Sequence, residues 1–282
     1  MRMTDGGRAR GVGQIWPIGR PRRRIARTMA LPLIIAACTS SSPGPASPTS
    51  PIPTAASAGS SAQTSPAAPT AAPSKCPSIH GGVCLGPLEA GTYTTRAFRT
   101  PLTYTVPEGW ANYEDLPGNF LLIPPSSSNE GVDAGTSDYI GVYHGVAPPS
   151  GDCQERRETG VALTPEAMAA WYAGHPGLDV EGPKPVTIGG LDGVVLDLTI
   201  AEGDDGVCRV PDFDGRLVPV LMGAGPADLV HALIEGLVMR LYLLSAPTGE
   251  VIAIEIDDLP GGDTMESMVD VVNDMQFGTD AP

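Results

Sequence analysis

Histidine is the first residue type to consider for chemistry, because its side chain can act as an acid, a base or a metal ligand near neutral pH. His144 ends a predicted strand near the loop that contains Cys153, where any of these roles is open to it. A histidine at such a place is more often a surface or edge residue. The other three, His80, His175 and His231, are scattered, and the sequence contains no GxSxG, HExxH, P-loop or GxGxxG pattern. We therefore predict no catalytic residue.

Aspartates near Cys208 are the best candidates for metal ligands. Carboxylates on a loop can hold calcium, but Gly223 stands at the twelfth position, where the helix-loop-helix calcium loop requires a bidentate Glu. We expect a solvated acidic loop and no metal or other cofactor, with a calcium site as the alternative. The candidate residues are Asp204, Asp205, Asp212 and Asp214.

The N-terminal segment has the charged, apolar, small-residue order of an export signal. Eight arginines precede the nine apolar residues from Met29 to Ala37, which are fewer than the ~20 that a spanning helix needs. The sequence Ile35-Ala-Ala-Cys38 resembles the lipobox of bacterial lipoproteins. This resemblance implies a signal peptide at 1–37, cleavage before Cys38, and acyl chains on its thiol that anchor the protein to the cell membrane. An uncleaved anchor, an ordinary secretory signal and a twin-arginine route through Arg22-Arg23-Arg24-Ile25 remain alternatives.

Residues 38–74 form a low-complexity segment after this signal. From Thr39 to Ser74, all but four residues are Ser, Thr, Pro or Ala, and none is charged. Such a segment has too little apolar surface to offset the entropy of folding. We predict a disordered, extended linker.

Charge is divided unevenly along the chain. Residues 1–38 hold eight of the 17 basic residues but one of the 32 acidic ones, so the remainder carries a net charge near −22. This charge disfavours nucleic acid and anionic lipid headgroups as partners. Membrane attachment is therefore expected through the acyl chains alone.

Residues 75–282 are predicted to fold as a single domain. Its four cysteines are an even number in an exported chain, which favours disulfides over metal ligands. Cys76 and Cys84 bracket a short glycine-containing segment, so we pair them locally. Cys153 and Cys208 are then left to join two loops.

Strand patterns dominate this domain. Leu102, Tyr104 and Val106 alternate with threonines, and residues 194–200 alternate in the same way. Residues 239–243 and 252–256 predict a hairpin around Thr248-Gly249. Further short strands are predicted at 120–123, 139–143 and 185–188.

Two helices are predicted beside these strands. Thr164 and Pro165 begin the first, which presents Met168, Trp171 and Tyr172 on one side. Asp263 begins the second, with Glu266 at the capping-box position and a methionine-rich stripe, Met265, Met268, Val272 and Met275. Both stripes are expected to pack on a sheet. Residues 227–236 fit either a short helix or a loop.

The fold class is therefore α+β, with an antiparallel sheet flanked by two or more helices. Segments 102–110 and 185–193, the hairpin turn at Thr248-Gly249, and residues 275–277 resemble those of secreted actinobacterial lipoproteins. Their layout is similar to PsbP and Mog1 domains, which implies this architecture over about residues 88–278. No residue here matches a functional motif of either family.

Three classes of function are consistent with these patterns. The preferred one is a lipid-anchored protein on the extracytoplasmic face that presents a non-enzymatic binding domain to an envelope protein or a small molecule. The alternatives are a carrier or sensor of a small apolar ligand and a hydrolase of envelope polymers. A cavity lined by the methionine stripe would favour the carrier, and a cleft that joins His144 to two carboxylates would favour the hydrolase.

Overall fold

The computed structural model describes residues 76–78, 80–135, 137–210, 213–259 and 264–278, which all belong to one compact unit. The predicted signal peptide, Cys38 and the linker to residue 74 lie outside these ranges. So do Asp212, Asp263 and the side chain of Asp214.

Strands make up most of the regular structure. In chain order the elements are β1 (Gly86–Pro87), β2 (Gly91–Thr94), β3 (Leu102–Val106), β4 (Ala111–Asp115), β5 (Asn119–Ile123), α1 (Asn129–Ala134), β6 (Tyr139–His144), β7 (Val146–Ala147), α2 (Pro165–Ala173), β8 (Leu178–Ile188), β9 (Leu191–Ile200), β10 (Cys208–Val210), β11 (Phe213–Gly223), β12 (Val230–Ile234), β13 (Val238–Ser245), β14 (Val251–Asp258), α3 (Met265–Asn273) and β15 (Gln276–Phe277).

Eight antiparallel strands form the central sheet, in the order β1-β4-β5-β6-β14-β13-β9-β8. The predicted hairpin is β13–β14, in register from Val238 opposite Asp258 to Ser245 opposite Val251. Successive side chains of a strand point to opposite faces. Face 1 of the sheet carries Leu241 and Ala253, and face 2 carries Tyr242 and Ile254; all four side chains are buried.

Each face of the central sheet is covered by a further sheet and a helix. A second sheet, here called the covering sheet, packs with α2 on face 1; its order is β10-β11-β12, and β7 also pairs with β11. The third sheet, β15-β3-β2, packs with α3 on face 2. The antiparallel α+β class holds, but flanking helices are few, because strands provide much of the cover that we predicted for helices.

Helix α2 begins as the sequence predicts. The Thr164 side chain accepts a hydrogen bond from the Ala167 amide at 3.3 Å, and Pro165 is the first helical residue. Met168 and Tyr172 are buried against face 1, whereas Trp171 is half-buried. Its stripe thus packs on the sheet.

Helix α3 begins at Met265, after Thr264, which makes no capping hydrogen bond through its side chain. Met268 and Val272 are buried in the core of face 2, as is Met275 just beyond the helix. The methionine stripe is therefore a packing surface.

The ambiguous stretch 227–236 contains a strand, so both the helix and the loop prediction were wrong there. Leu233 of β12 is fully buried in the face 1 core, and β12 pairs with β11 from Leu217 opposite Ile234 to Met222 opposite Val230. Pairing with β11 decides the conformation of a segment whose own pattern is weak.

Both disulfides have the predicted pairing. Cys76 joins Cys84, with their Cα atoms 4.7 Å apart, and Cys153 joins Cys208 at 5.7 Å. The second bond links the loop after β7 to the start of β10. Within the described ranges, no helix has the length and apolar character needed to cross a membrane.

Removing each disulfide should destabilise the domain to a different extent. The sequence separations are 55 for Cys153–Cys208 and 8 for Cys76–Cys84. Loop-closure entropy then predicts losses of about 4 and about 2.5 kcal/mol in the free energy of unfolding for the paired Cys→Ser variants. Urea denaturation measures both. An equal or larger loss for the local pair would contradict this account.

Candidate functional site

His144 lies at the end of β6 and is fully buried. Its Nε2 atom lies 2.7 Å from Oε2 of Glu250, and its Nδ1 atom lies 2.8 Å from Oγ1 of Thr100. The hydrogen bond to His144 lowers the pKa of Glu250. These contacts tie the loop before β3 to the β13–β14 turn.

A hydroxyl, an imidazole and a carboxylate in line are the groups of an acyl-transfer triad. Here His144 meets one carboxylate rather than two, and both His144 and Thr100 are buried. None of the three side chains lines either of the two cavities described below. The three side chains form a hydrogen-bonded chain from Thr100 through His144 to Glu250.

The aspartates near Cys208 do not converge in the described part of the chain. Asp204 is exposed and lies 2.9 Å from Nη2 of Arg209, and Asp205 is exposed nearby. Within the described ranges no group of three or more His, Cys, Asp or Glu side chains has an arrangement that could hold a metal ion. Arg209 and Arg216 both place positive charge next to Asp204.

An open groove of about 550 Å³ lies on face 2, where the cover of the central sheet ends. Strands β8, β9 and β13 form its floor, and the start of α3 and the end of β14 border it. The lining residues are Asp179, Val180, Glu181, Asp197, Thr199, Val238, Arg240, Asp258 and Met265.

The floor of the groove is fixed by a pair of opposite charges. Nε and Nη2 of Arg240 donate to the two carboxylate oxygens of Asp197 at 2.6 and 2.8 Å. Such a bidentate contact is among the stronger hydrogen-bonded pairs, and the two residues lie opposite each other on adjacent strands. Asp179 and Glu181 form an exposed acidic rim, and Val238 offers an apolar side chain that is 38 % exposed.

A smaller cavity of about 240 Å³ lies between the turn before β5 and the loop before β12. Its walls include Asn119 and Asp228, which are joined by two hydrogen bonds of 3.3 Å, one from the Asn119 side chain and one from the Asp228 amide. His80 also lines this cavity.

A polar cluster is buried in face 1, between the central sheet and the covering sheet. We call Tyr139, Tyr143, His231, Glu255 and Asp257 the core cluster. Glu255 is fully buried; Oε1 accepts a hydrogen bond from the Tyr139 hydroxyl at 2.9 Å, and Oε2 lies 2.8 Å from Nδ1 of His231. His231 comes from β12, so this contact joins two sheets.

Gly141 makes room for the cluster. It lies opposite Glu255 in the pairing of β6 with β14, and the ring of Tyr143 folds over it. A Cβ atom at this position would collide with the Tyr143 hydroxyl. That hydroxyl and Oδ1 of Asp257 are buried, and no described group makes a hydrogen bond to either.

Burial and neighbouring charges set the protonation of the cluster. Burial, followed by the charge of Glu255, raises the pKa of Asp257 well above its usual value, which favours the neutral form of this carboxyl. Burial opposes a charge on His231, but the charge and hydrogen bond of Glu255 outweigh it, and the pKa of His231 is raised. The raised pKa favours the protonated form of His231 beside Glu255.

Sequence reasoning missed this cluster. Ile252, Ile254 and Ile256 predict one buried face of β14, which leaves Glu255 on the face expected to meet solvent. Val251 and Ala253 precede it on that same face, and their apolar character is a signal that both faces are covered. His231 lay in the ambiguous stretch, so nothing indicated which side chain it would meet.

No protein-family model matches the chain, and no curated protein does. Solved structures give distant similarities. Cyanobacterial PsbP (CyanoP) from Synechocystis sp. PCC 6803 is 13% identical with a TM-score of 0.33, over 70% of this chain and 98% of that one. A protein from Bacteroides thetaiotaomicron VPI-5482 is 10% identical with a TM-score of 0.30, over 64% of this chain. The match spans 46% of the Bacteroides protein, less than half of its length.

The two tyrosines of the core cluster should respond differently to loss of the hydroxyl. Tyr139→Phe should lower the free energy of unfolding by about 1.5–3 kcal/mol, because it removes a hydrogen bond to a buried carboxylate. Tyr143→Phe should stay within about 0.5 kcal/mol of wild type or be more stable, because its hydroxyl lacks a partner. Chemical denaturation of the two variants side by side measures this difference. A larger loss for Tyr143→Phe would contradict the assigned hydrogen bonds.

Proposed function

We propose that this chain is a lipid-anchored protein of the cell envelope whose folded domain binds a partner, without catalysis, through the groove on face 2. The observation that carries the proposal is the groove itself, with its fixed Arg240–Asp197 floor and acidic rim. It is the larger of the two cavities described.

The groove suits binding because its polar groups are already held in place. Arg240 and Asp197 lie on adjacent paired strands, so little side-chain entropy remains to be lost when a partner arrives. Exposed Val238, together with Met265, adds apolar contact area beside these charges. A site of this kind combines orientation by polar groups with burial of apolar surface.

Charge indicates the chemistry of the partner. Asp197 is paired with Arg240, whereas Asp179 and Glu181 at the rim are exposed, and Glu181 contacts Lys184 at 2.6 Å. Acidic groups outnumber basic ones along the lining. A partner with basic and apolar groups is therefore complementary, in agreement with the acidic composition after residue 38.

The hydrolase alternative receives less support from the same geometry. The groove lining contains no histidine, serine or cysteine. His144 with Glu250, and His231 with Glu255, lie elsewhere; the His144 and Glu255 side chains are buried, whereas those of Glu250 and His231 are 37 % and 25 % exposed. Catalysis would need these groups to reach a substrate.

The carrier alternative would need a pocket lined by the methionine stripe. Met268 and Met275 are fully buried in the core, and Met265 alone of the stripe reaches the groove. The stripe therefore supports packing rather than an apolar pocket.

The anchor is part of the same proposal and is supported by the sequence. Signal peptide 1–37, acylated Cys38 and the linker to residue 74 would place the domain on the extracytoplasmic face of the cell membrane. At ~3.1 Å per residue an extended linker spans roughly 110 Å. Two disulfides are consistent with an oxidising compartment. Segments 102–110 and 185–193 support the finer proposal that the domain has the PsbP/Mog1-like layout of secreted actinobacterial lipoproteins.

Photo-crosslinking in cells tests the groove. A photoreactive phenylalanine analogue replaces Val238 in the groove or, as a matched control, Leu163 before α2; these side chains are 38 % and 41 % exposed. We expect several-fold more crosslinked product from position 238, since position 163 is outside the groove. Similar yields at both positions would count against the groove as the contact surface.

Charge variants test the nature of the partner in the same assay. Asp179→Asn combined with Glu181→Gln should reduce crosslinking from position 238 several-fold, because the groove loses two negative charges that attract a basic partner. Glu89→Gln combined with Glu166→Gln removes two exposed carboxylates outside the groove and should leave the yield unchanged. Equal effects of the two pairs would indicate a response to net charge rather than to this site.

Fractionation tests the anchor independently of the groove. Cys38→Ala should move the protein from the membrane fraction to the medium, because the acyl chains lose their point of attachment. Ser40→Ala, two residues further on, serves as the control and should stay with the membrane. Membrane retention of Cys38→Ala would remove the lipoprotein proposal.

A further inference from the structure

His231 connects the covering sheet to the central sheet through charge. Its Nδ1 atom lies 2.8 Å from Glu255 Oε2, and its side chain is 25 % exposed while that of Glu255 is 1 % exposed. His231 therefore lies at the boundary between solvent and the core cluster. A group in this position can exchange protons with solvent while it contacts a buried carboxylate.

We propose that the His231–Glu255 contact is a proton-dependent latch, which holds strand β12 against the central sheet and weakens as the pH rises. The latch lies on face 1, so it is independent of the groove and of the function proposed for it.

Strand β12 has the features of an element that opens locally. Among the described strands it pairs with β11 alone, so it is an edge strand of the covering sheet. Of its five residues, Leu233 is buried and the other four are half-buried. Strands with few buried contacts open at a lower free energy than the core of a domain. The contact with Glu255 thus supplies a larger share of the free energy that holds β12 in place than the same contact would in a central strand.

Several ionisable groups face His231 from the elements packed around it. Glu255 and Asp257 come from β14, Tyr139 and Tyr143 from β6, and Glu114 from β4. Glu114 is buried and accepts a hydrogen bond from Ser78 at 2.7 Å. The His231 imidazole is thus surrounded by carboxyl and hydroxyl groups, and no arginine or lysine is among the causes that shift its pKa.

The sign of the pH effect follows from these neighbours. Glu255 keeps the pKa of His231 above the value of 6.5 expected once β12 has opened. Below pH 6.5 both states carry the proton, and the stabilisation is fully present. As the pH rises from 6.5 towards the pKa of the closed state, opening releases a proton, so the closed state loses stability.

Hydrogen exchange of the intact chain measures this opening. Amides of residues 230–234 are followed between about pH 6 and pH 9, and rates are corrected for intrinsic exchange. The opening constant should rise by up to about tenfold per pH unit above pH 6.5, because one proton is released, and then level off. For the amides of β3, on face 2, the opening constant should change by no more than about twofold over the same pH range.

Variants separate His231 from the neighbouring groups. His231→Gln and Glu255→Gln should abolish the rise of the opening constant with pH. His80→Gln, which changes an exposed histidine, should retain this rise. Asp257→Asn mimics the neutral acid and should also retain it. A pH-independent opening constant in the wild type, or a full rise in His231→Gln, would overturn the proposal, the second result assigning the proton to Asp257.

If Glu255→Gln or His231→Gln does not fold, the imidazole signals of the wild type decide. The pH titration of His231 followed by NMR should have its midpoint above 6.5, and exchange at 230–234 should change over the same interval. A midpoint at or below 6.5 would contradict the latch.

Discussion

Strand β14 lies at the centre of an eight-stranded sheet and is buried on both faces, and this constraint organises the domain. Ile254 on face 2 and Ala253 on face 1 are both inaccessible to solvent. A sheet with such a centre requires cover on each side. Two further sheets and helices α2 and α3 provide this cover. Many of the strands therefore lie outside the central sheet and pack against its faces.

The same constraint accounts for the core cluster. A carboxylate in a strand buried on both faces needs hydrogen-bond donors, because an unpaired buried charge is costly. Glu255 obtains them from Tyr139 on the neighbouring strand and from His231 on the covering sheet. Gly141 leaves the space that Tyr143 occupies above it. One polar residue in the central strand is thus contacted by side chains from two other strands.

Incomplete cover accounts for the groove. On face 2 the third sheet and α3 bury Tyr242 and Ile256, but β13 and β9 continue beyond them. The exposed continuation carries polar side chains, and Arg240 with Asp197 forms its floor. The core cluster is therefore enclosed on face 1, whereas the groove on face 2 presents its polar groups to solvent.

Sequence patterns alone determined much of the local structure. Alternation identified the β13–β14 hairpin and β9, because buried and exposed sides of a strand differ in polarity; Thr164 with Pro165 identified the start of α2, because the first turn of a helix needs a capping group. The even number of cysteines and the short spacing of Cys76 and Cys84 gave the disulfide pairing.

Tertiary structure alone decided the rest. It made β12 a strand through pairing with β11, added two further sheets to the cover provided by the predicted helices, and brought His231 to Glu255, 24 residues apart in the chain. Contacts between residues so far apart in the chain depend on how the sheets stack, and no local sequence pattern encodes that stacking. The sequence predicted several of the strands, whereas packing decided that β12 is a strand and which polar side chains meet.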